Sequence, residues 1–222
     1  MLRLSYSEEN YLKAIYHLSG NGQHAVNTNS VADAMDTKAA SVTDMVKRLA
    51  SKGTLDHEKY KGMTITSKGK AVALQVIRKH RLWEVFLVEK LKFHWDEVHE
   101  IAEQLEHIKS PLLIKKLDAF LDFPKFDPHG DPIPGENGEI NAEPSILLSN
   151  MRIKDHGVLV GVQDSGSSFL KYLDRIGAYI GAEIELLDKI EYDQSMEIKI
   201  DRGPSQYVSS QVTDNLMISI KN

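Results

Sequence analysis

Thr28-Asn29-Ser30-Val31-Ala32-Asp33-Ala34-Met35-Asp36-Thr37-Lys38-Ala39-Ala40-Ser41-Val42 decides the fold of the N-terminal third of the chain. Val31, Ala32 and Met35 recur at helical spacing, so Thr28 to Met35 reads as a short helix with one apolar side. Asp36-Thr37-Lys38 is a turn. A second helix runs from Ala39 to Lys52, with Val42, Met45, Val46 and Leu49 inward and Gly53 just past its end. Upstream, Ser5-Tyr6-Ser7-Glu8 has the form of a capping box. It opens a helix carrying Tyr11, Leu12, Ile15, Tyr16 and Leu18, which stops at Gly20-Asn21-Gly22. Downstream, residues 54–58 and 63–66 read as two strands around Lys59-Tyr60-Lys61-Gly62.

Three helices and a hairpin, with a three-residue turn between the second and third helices, form a winged helix-turn-helix. The third helix opens on small residues, Ala39, Ala40 and Ser41, which let it sit deep in a major groove. Lys38, Lys47 and Arg48 flank it as phosphate contacts, with Asp44 on the same face. Lys59, Tyr60 and Lys61 stand at the wing tip, where a backbone contact would fall. The same helices also suit a small α+β domain that contacts protein. Residues 1–72 carry a charge of +3 and residues 73–222 a charge of −8, within a total of −5. A basic N-terminal part on an acidic protein fits a local nucleic-acid contact.

From Thr66-Ser67 a long helix runs to about Lys92, with a hydroxyl as its N-cap. His80 and Glu84, four apart, share one face of it. Next comes His99-Glu100-Ile101-Ala102-Glu103-Gln104-Leu105-Glu106-His107, read as a helix with two faces. Val98, Ile101, Ala102, Leu105 and Ile108 make an apolar stripe, while His99, Glu103, Glu106 and His107 fall within a ~100° arc. That arc suits a divalent cation, and equally a solvated face with i,i+4 contacts. Ser110-Pro111 starts a further helix, broadly apolar, that suits burial in a dimer interface. Pro124, Pro128, Pro132 and Pro134 punctuate an ordered loop that passes into a linker. Beyond Met151 the pattern changes to short strands at residues 157–163, 183–192, 196–201 and 216–220, with one helix over 167–176, which is the pattern of a small β-barrel.

The 222 residues give ample core for two or three small domains, and 41% apolar with 27% charged residues is ordinary for a soluble globular protein. No run of 18 apolar residues suggests a membrane span. The first residues lack the apolar region of a signal peptide. Absence of cysteine excludes disulfides and thiolate metal sites and fits a cytoplasmic location.

Several segments resemble the diphtheria-toxin-repressor family of metal-dependent transcriptional regulators, which includes the manganese transport regulators. They are residues 9–16 (Glu-Asn-Tyr-Leu-Lys-Ala-Ile-Tyr), residues 58–62 with 66–69, residues 79–84 (Lys-His-Arg-Leu-Trp-Glu), residues 103–107 (Glu-Gln-Leu-Glu-His) and residues 128–134. The resemblance implies a mainly α fold with β: a winged helix-turn-helix domain at 1–72, a helical dimerisation and metal-binding domain at 73–140, a linker at 141–150 and an SH3-like (FeoA-like) domain at 151–222. It implies a primary metal site of His80, Glu103, Glu106 and His107, to which Asn10, a departure from the family pattern, can still offer its amide oxygen. An ancillary site would draw on Glu84, His99, Asp127 and His129, with Asp164 at a position where some members supply a ligand. Position 10 holds Asn where members have Asp or Met, and position 13 holds Lys where two-metal manganese members have Glu. Position 103 is Glu where iron-type members have Cys, which hardens the ligand set.

Imidazole and carboxylate without thiolate suit Mn²⁺ or Fe²⁺, Mn²⁺ somewhat more. The expectation is therefore a homodimeric repressor, not an enzyme, that binds palindromic double-stranded DNA when loaded with metal. Two rival readings use the same residues: a metal-dependent hydrolase, and a winged-helix regulator that senses an organic ligand or a protein partner. The chain lacks His-Glu-x-x-His, Gly-x-Ser-x-Gly and a P-loop, which counts against the hydrolase.

Overall fold

The computed structural model describes residues 3–58 and 62–220. The chain divides into two compact units: residues 1–80 with 103–114 and 134–140, and residues 81–102 with 115–133 and 141–222. Among the described residues no helix is long and apolar enough to cross a membrane.

The first unit contains the winged helix. Helix α1 (Tyr6–Leu18) starts at Ser5, where both bonds of the capping box are made: Glu8 N–H donates to Ser5 Oγ at 3.3 Å, and Ser5 N–H donates to Glu8 Oε2 at 2.8 Å. Helix α2 (Thr28–Ala34) is capped by Asn27, whose Oδ1 accepts from Ser30 N at 2.9 Å. Helix α3 (Ala39–Ser51) follows the turn. Strands β1 (Leu55–Glu58) and β2 (Gly62–Ile65) pair antiparallel, Leu55 opposite Ile65. Val26 adds a short third rung, exchanging two 2.8 Å hydrogen bonds with Met63. Leu12, Ile15 and Tyr16 of α1, Val31 of α2, Val42, Val46 and Leu49 of α3, and Leu55 and Met63 of the hairpin bury together as one core. The helices and hairpin expected from the sequence are therefore present, each within two residues of its expected ends.

Helix α4 (Ser67–Glu89) begins beside this core. Thr66 Oγ1 accepts from Gly69 N at 3.1 Å and donates to Gly53 O at 2.9 Å, so the N-cap also fastens the helix to the end of α3. Gly69 permits the close approach: a Cβ there would lie 2.1 Å from the Thr54 carbonyl oxygen. Two further helices are α5 (His99–Leu105) and α6 (Pro111–Phe120). Helix α6 leaves Leu112, Leu113 and Phe120 exposed, the apolar surface expected of a helix that meets a partner.

The second unit carries the C-terminal sheet. Its strands are β3 (Ile146–Leu147), β4 (His156–Val162), β5 (Glu183–Lys189), β6 (Met196–Ile200), β7 (Ser205–Val208) and β8 (Leu216–Ile220), in the order β3-β8-β4-β5-β6-β7 and antiparallel throughout. Helix α7 (Ser167–Ile176) lays Leu170 and Leu173 on the sheet core of Leu159, Ile184, Leu186, Ile198, Leu216 and Ile218. A short α8 (Ser210–Thr213) precedes β8. The expected small barrel is here an open SH3-like sheet. Bulges between Leu159 and Gly161 and between Leu186 and Asp188 bend it. Closure is absent among the described strands because β3 offers only two residues, and both pair with β8. Strands β3 and β7 were missed in the sequence because two and four residues are too few to show an alternation.

Replacing Gly69 with Ala forces a methyl group against backbone rather than a movable side chain. The expected loss in urea unfolding is about 1–3 kcal/mol, whereas an unchanged midpoint would show that α4 does not need this approach.

Candidate metal centres and DNA-facing helix

Helix α5 ends at Leu105, so Glu106 and His107 lie in the turn after it, not on a continuous helical face to residue 107. The turn drives both side chains inward: Glu106 has no solvent exposure and His107 only 5%. Ligand-type atoms of His80, Glu103 and Glu106 lie within 4.8 Å of one another in the first unit. His80 Nδ1 is 2.6 Å from Glu106 Oε2, and since an ionised carboxylate only accepts, the imidazole Nδ1–H is the donor. His107 Nδ1 likewise donates to Glu9 Oε2 at 2.7 Å, and Tyr6 stacks on the His107 ring at 4.8 Å. The other nitrogen, His107 Nε2, is buried, lies 3.6 Å from Glu106 Oε1 and has no hydrogen-bond partner.

Helix α1 supplies the opposite wall. Lys13 Nζ donates to Glu103 Oε1 at 2.5 Å and to both oxygens of Glu106 at 2.8 Å. At about 100° per residue, Lys13 lies between Glu9 and Asn10 around the helix, so all three point to one side. Asn10 Oδ1 is buried and unpaired. Buried polar atoms are nearly always satisfied, so an orphaned imidazole nitrogen and an orphaned amide oxygen ask for a Lewis acid or a donor. A divalent cation held by nitrogen and oxygen fits this donor set. Burial alone would raise the Glu106 carboxyl, but the His80 hydrogen bond and the Lys13 charge outweigh it and hold the group below the usual carboxylate range. Glu9 was not singled out as a site residue in the sequence. Its only signal was position: a carboxylate on the inward side of an otherwise apolar-packed helix.

The second unit holds another group. Atoms of Glu84, Asp127 and His129 lie within 4.8 Å of one another, and all three residues are buried. Glu84, from α4, reaches His129 Nδ1 at 3.8 Å through Oε2 and His99 Nδ1 at 3.5 Å through Oε1. Asp127 Oδ1 accepts from the backbone N–H of His129 at 2.9 Å and of Asp131 at 3.0 Å, which folds the loop around it. Arg81, also missed in the sequence, sits 3.4 Å from Asp127 Oδ2 and 2.9 Å from Asp131 Oδ2. Burial, with the Glu84 and Asp131 carboxylates beside it, pushes Asp127 up to about 7 despite Arg81 and His129. Burial pulls His129 down, yet the Glu84 and Asp127 carboxylates more than offset it and the imidazole is raised. Asp164 stands apart from the group: it is exposed, and its Oδ1 accepts from Gly166 N at 2.8 Å.

On α3 the expected DNA-facing residues share one surface. Lys38, Ala39, Ala40, Ser41, Asp44, Lys47 and Arg48 are all exposed, while Val42, Met45, Val46 and Leu49 are buried. Asp44 and Lys47 pair at 3.3 Å. Lys59, Tyr60 and Lys61 of the expected wing tip lie outside the described residues.

Three family models match consecutive parts of the chain. They are the iron dependent repressor N-terminal DNA binding domain at residues 3–63, the iron dependent repressor metal binding and dimerisation domain at 66–135, and the FeoA domain at 146–219. The iron-dependent repressor IdeR of Mycobacterium tuberculosis is 30% identical over 193 residues, covering 86% of this chain and 80% of IdeR. The regulator MntR of Oceanobacillus iheyensis is 33% identical over 121 residues, covering 54% of this chain and 81% of MntR. The solved structure of a manganese-dependent transcriptional repressor in complex with manganese superposes with a TM-score of 0.86 at 32% identity, covering 96% of this chain and all of that one. With its DNA-binding, metal-binding and FeoA modules in this order, the chain belongs to the iron-dependent repressor family of metal-dependent transcriptional repressors.

Proposed function

We propose that the chain represses transcription as a cytoplasmic homodimer bound to a palindromic operator when an ion occupies the cluster of His80, Glu103, Glu106 and His107, with Asn10 completing the set. The observation that carries this is the orphaned buried nitrogen His107 Nε2, 3.6 Å from the buried Glu106 carboxylate, together with a second orphaned buried atom, Asn10 Oδ1, on the same side of α1 as Lys13. Glu84, Asp127 and His129, with His99 at the rim, form the ancillary site; Asp164 contributes only if its loop reorganises. Mn²⁺ or Fe²⁺ suits both donor sets, and Glu103 in place of a thiolate favours Mn²⁺. The exposed face of α3, from Lys38 to Arg48, enters the major groove, and Lys59, Tyr60 and Lys61 contact the adjacent backbone. Leu112, Leu113 and Phe120 on α6 are available to the partner protomer. The domain limits that fit this reading are residues 1–72, 73–140 and 151–222, joined by a linker at 141–150.

The switch follows from which side chains the ion joins. Asn10 belongs to α1 of the winged helix, and Glu103, Glu106 and His107 to the segment around the end of α5. Lys13 already crosses between the same two segments, so one positive charge is built in and one ion completes this cluster. An ion that joins Asn10 to the carboxylates restricts the winged helix to the arrangement that binds DNA. Its preference for that arrangement is the allosteric energy.

Three measurements test this reading. With a DNA site selected in the presence of Mn²⁺, Mn²⁺ or anaerobic Fe²⁺ should raise affinity roughly 5- to 150-fold in gel shifts. Chelator, or alanine at Glu103 or His107, should remove the gain; chelator-insensitive binding contradicts the switch. Lys13→Met should lower the stability of the metal-free protein by about 3 kcal/mol, because the buried Glu106 loses its cation. It should also tighten Mn²⁺ binding at this cluster, since an ammonium no longer competes; weaker binding would show that Lys13 assists the ion instead. The third measurement concerns pH. Asp127, at about 7, must lose its proton before it can ligate, and raised His129 must do the same. Mn²⁺ affinity at the ancillary site should therefore fall steeply as pH drops from 8 to 6, about tenfold per pH unit for each proton displaced. Calorimetry in buffers of different ionisation enthalpy counts those protons, and zero release would exclude Asp127 and His129 as ligands.

A further inference from the structure

Trp95 joins the ancillary cluster to the C-terminal sheet domain. Its backbone carbonyl accepts from His129 Nε2 at 2.8 Å, and its ring stacks on the imidazole at 6.0 Å, 18° from parallel. With the proton fixed on Nε2, the lone pair of neutral His129 is on Nδ1, the nitrogen that faces Glu84. The indole Nε1–H of Trp95 donates to Asp174 Oδ1 of α7 at 3.1 Å. The next residue, Asp96, accepts from the Ser167 hydroxyl at 2.9 Å and pairs with the Lys171 ammonium at 3.2 Å, both also from α7. Helix α7 thus buries Leu170 and Leu173 in the sheet core and grips residues 95 and 96 with its outer side. His94, Asp96 and Asp174 come within 4.8 Å of one another, but the Lys171 ammonium already neutralises Asp96, so this group is a fastening and not a cation site.

The same loop is held from a second direction. His129 O accepts from Val162 N of β4 at 3.0 Å. Gly130, at φ +88°, lies so close to β4 that a Cβ would be 2.0 Å from Val160 O. Among the described residues, the sheet domain places no ligand atom in the Glu84, Asp127 and His129 group. Its influence on that group runs through the groups that orient His129.

We propose that the sheet domain is the outer shell of the ancillary site, with Trp95 and Asp174 as positioning residues for His129, so that ion binding there and the seating of α7 on residues 94–97 stabilise each other. This rests on the reading that Glu84, Asp127 and His129 hold an ion. Groups that orient a ligating histidine are commonly worth 10–100-fold in metal affinity, and Asp174 is one contact further removed. Thermodynamic reciprocity then requires the ion to lower the open-to-closed equilibrium of α7 by the factor that α7 tightens the ion.

The test uses the full chain and Mn²⁺ alone. Calorimetry gives the affinity of each site, the ancillary one being that lost in His129→Ala, and hydrogen exchange with and without Mn²⁺ follows the amides of residues 94–97 and 167–176. Asp174→Ala and Trp95→Phe should weaken the ancillary ion about tenfold, without changing the other site. Asp174→Asn, which keeps an acceptor oxygen, should bind as the unaltered protein does. Mn²⁺ should slow exchange in α7, and should fail to do so in His129→Ala. Asp174 is exposed, so its replacement leaves the core intact. Equal ancillary affinity in Asp174→Ala, or metal-independent exchange in α7, overturns the positioning role while leaving the ion reading standing. Failure of His129→Ala to remove any bound Mn²⁺ overturns both.

Discussion

A carboxylate with no access to water must have its charge met from within the protein, and Glu106 is that carboxylate. His80 donates to one of its oxygens, Lys13 reaches both, and His107 Nε2 stands 3.6 Å away with nothing to bind. These partners come from α1, from α4 and from the turn after α5, three segments far apart in sequence. Burying one charge therefore fixes how the first helix of the winged domain meets the turn after α5. The arrangement is satisfied in charge and unsatisfied in lone pairs, as the proposed ion site, resting on an ammonium, requires.

The two clusters solve the same problem differently. At Glu106 a lysine and a histidine proton keep the carboxylate ionised, so under the proposed reading an ion competes with a tethered cation. At Asp127 burial and neighbouring carboxylates raise the group to about 7, so under the proposed reading an ion competes with protons. Arg81 offsets part of the negative charge there by pairing with Asp127 and Asp131, while Glu84 and His129 face each other. Differences in pH sensitivity between the sites follow from this chemistry rather than from the identity of the metal.

Much of this was legible in the residues. Ser5 and Glu8, the apolar spacing in Val42, Met45, Val46 and Leu49, and the three-residue turn at Asp36-Thr37-Lys38 carry the winged helix, because caps and periodicity are local. Donor types at positions 80, 84, 103, 106, 107, 127 and 129 were legible through family resemblance, and the fold gathers most of them into two groups. Long-range facts were not legible. A helical reading through His107 missed the break at Leu105, because a turn that buries Glu106 and His107 is imposed by tertiary packing. Glu9, Arg81 and Trp95 have ordinary local contexts; only the folded chain brings them to His107, Asp127 and His129. The open sheet replaced an expected barrel because short edge strands carry almost no periodic signal.

The central claim is that an ion takes over the Glu106 carboxylate. Anomalous diffraction from crystals soaked in Mn²⁺ tests it most directly. The account predicts a manganese peak bounded by His80, Glu103, Glu106 and His107, with His107 Nε2 turned to the ion and at least one Lys13–carboxylate contact lengthened. Full manganese occupancy elsewhere, with Lys13 still bridging Glu103 and Glu106 and His107 Nε2 unpaired, would contradict it.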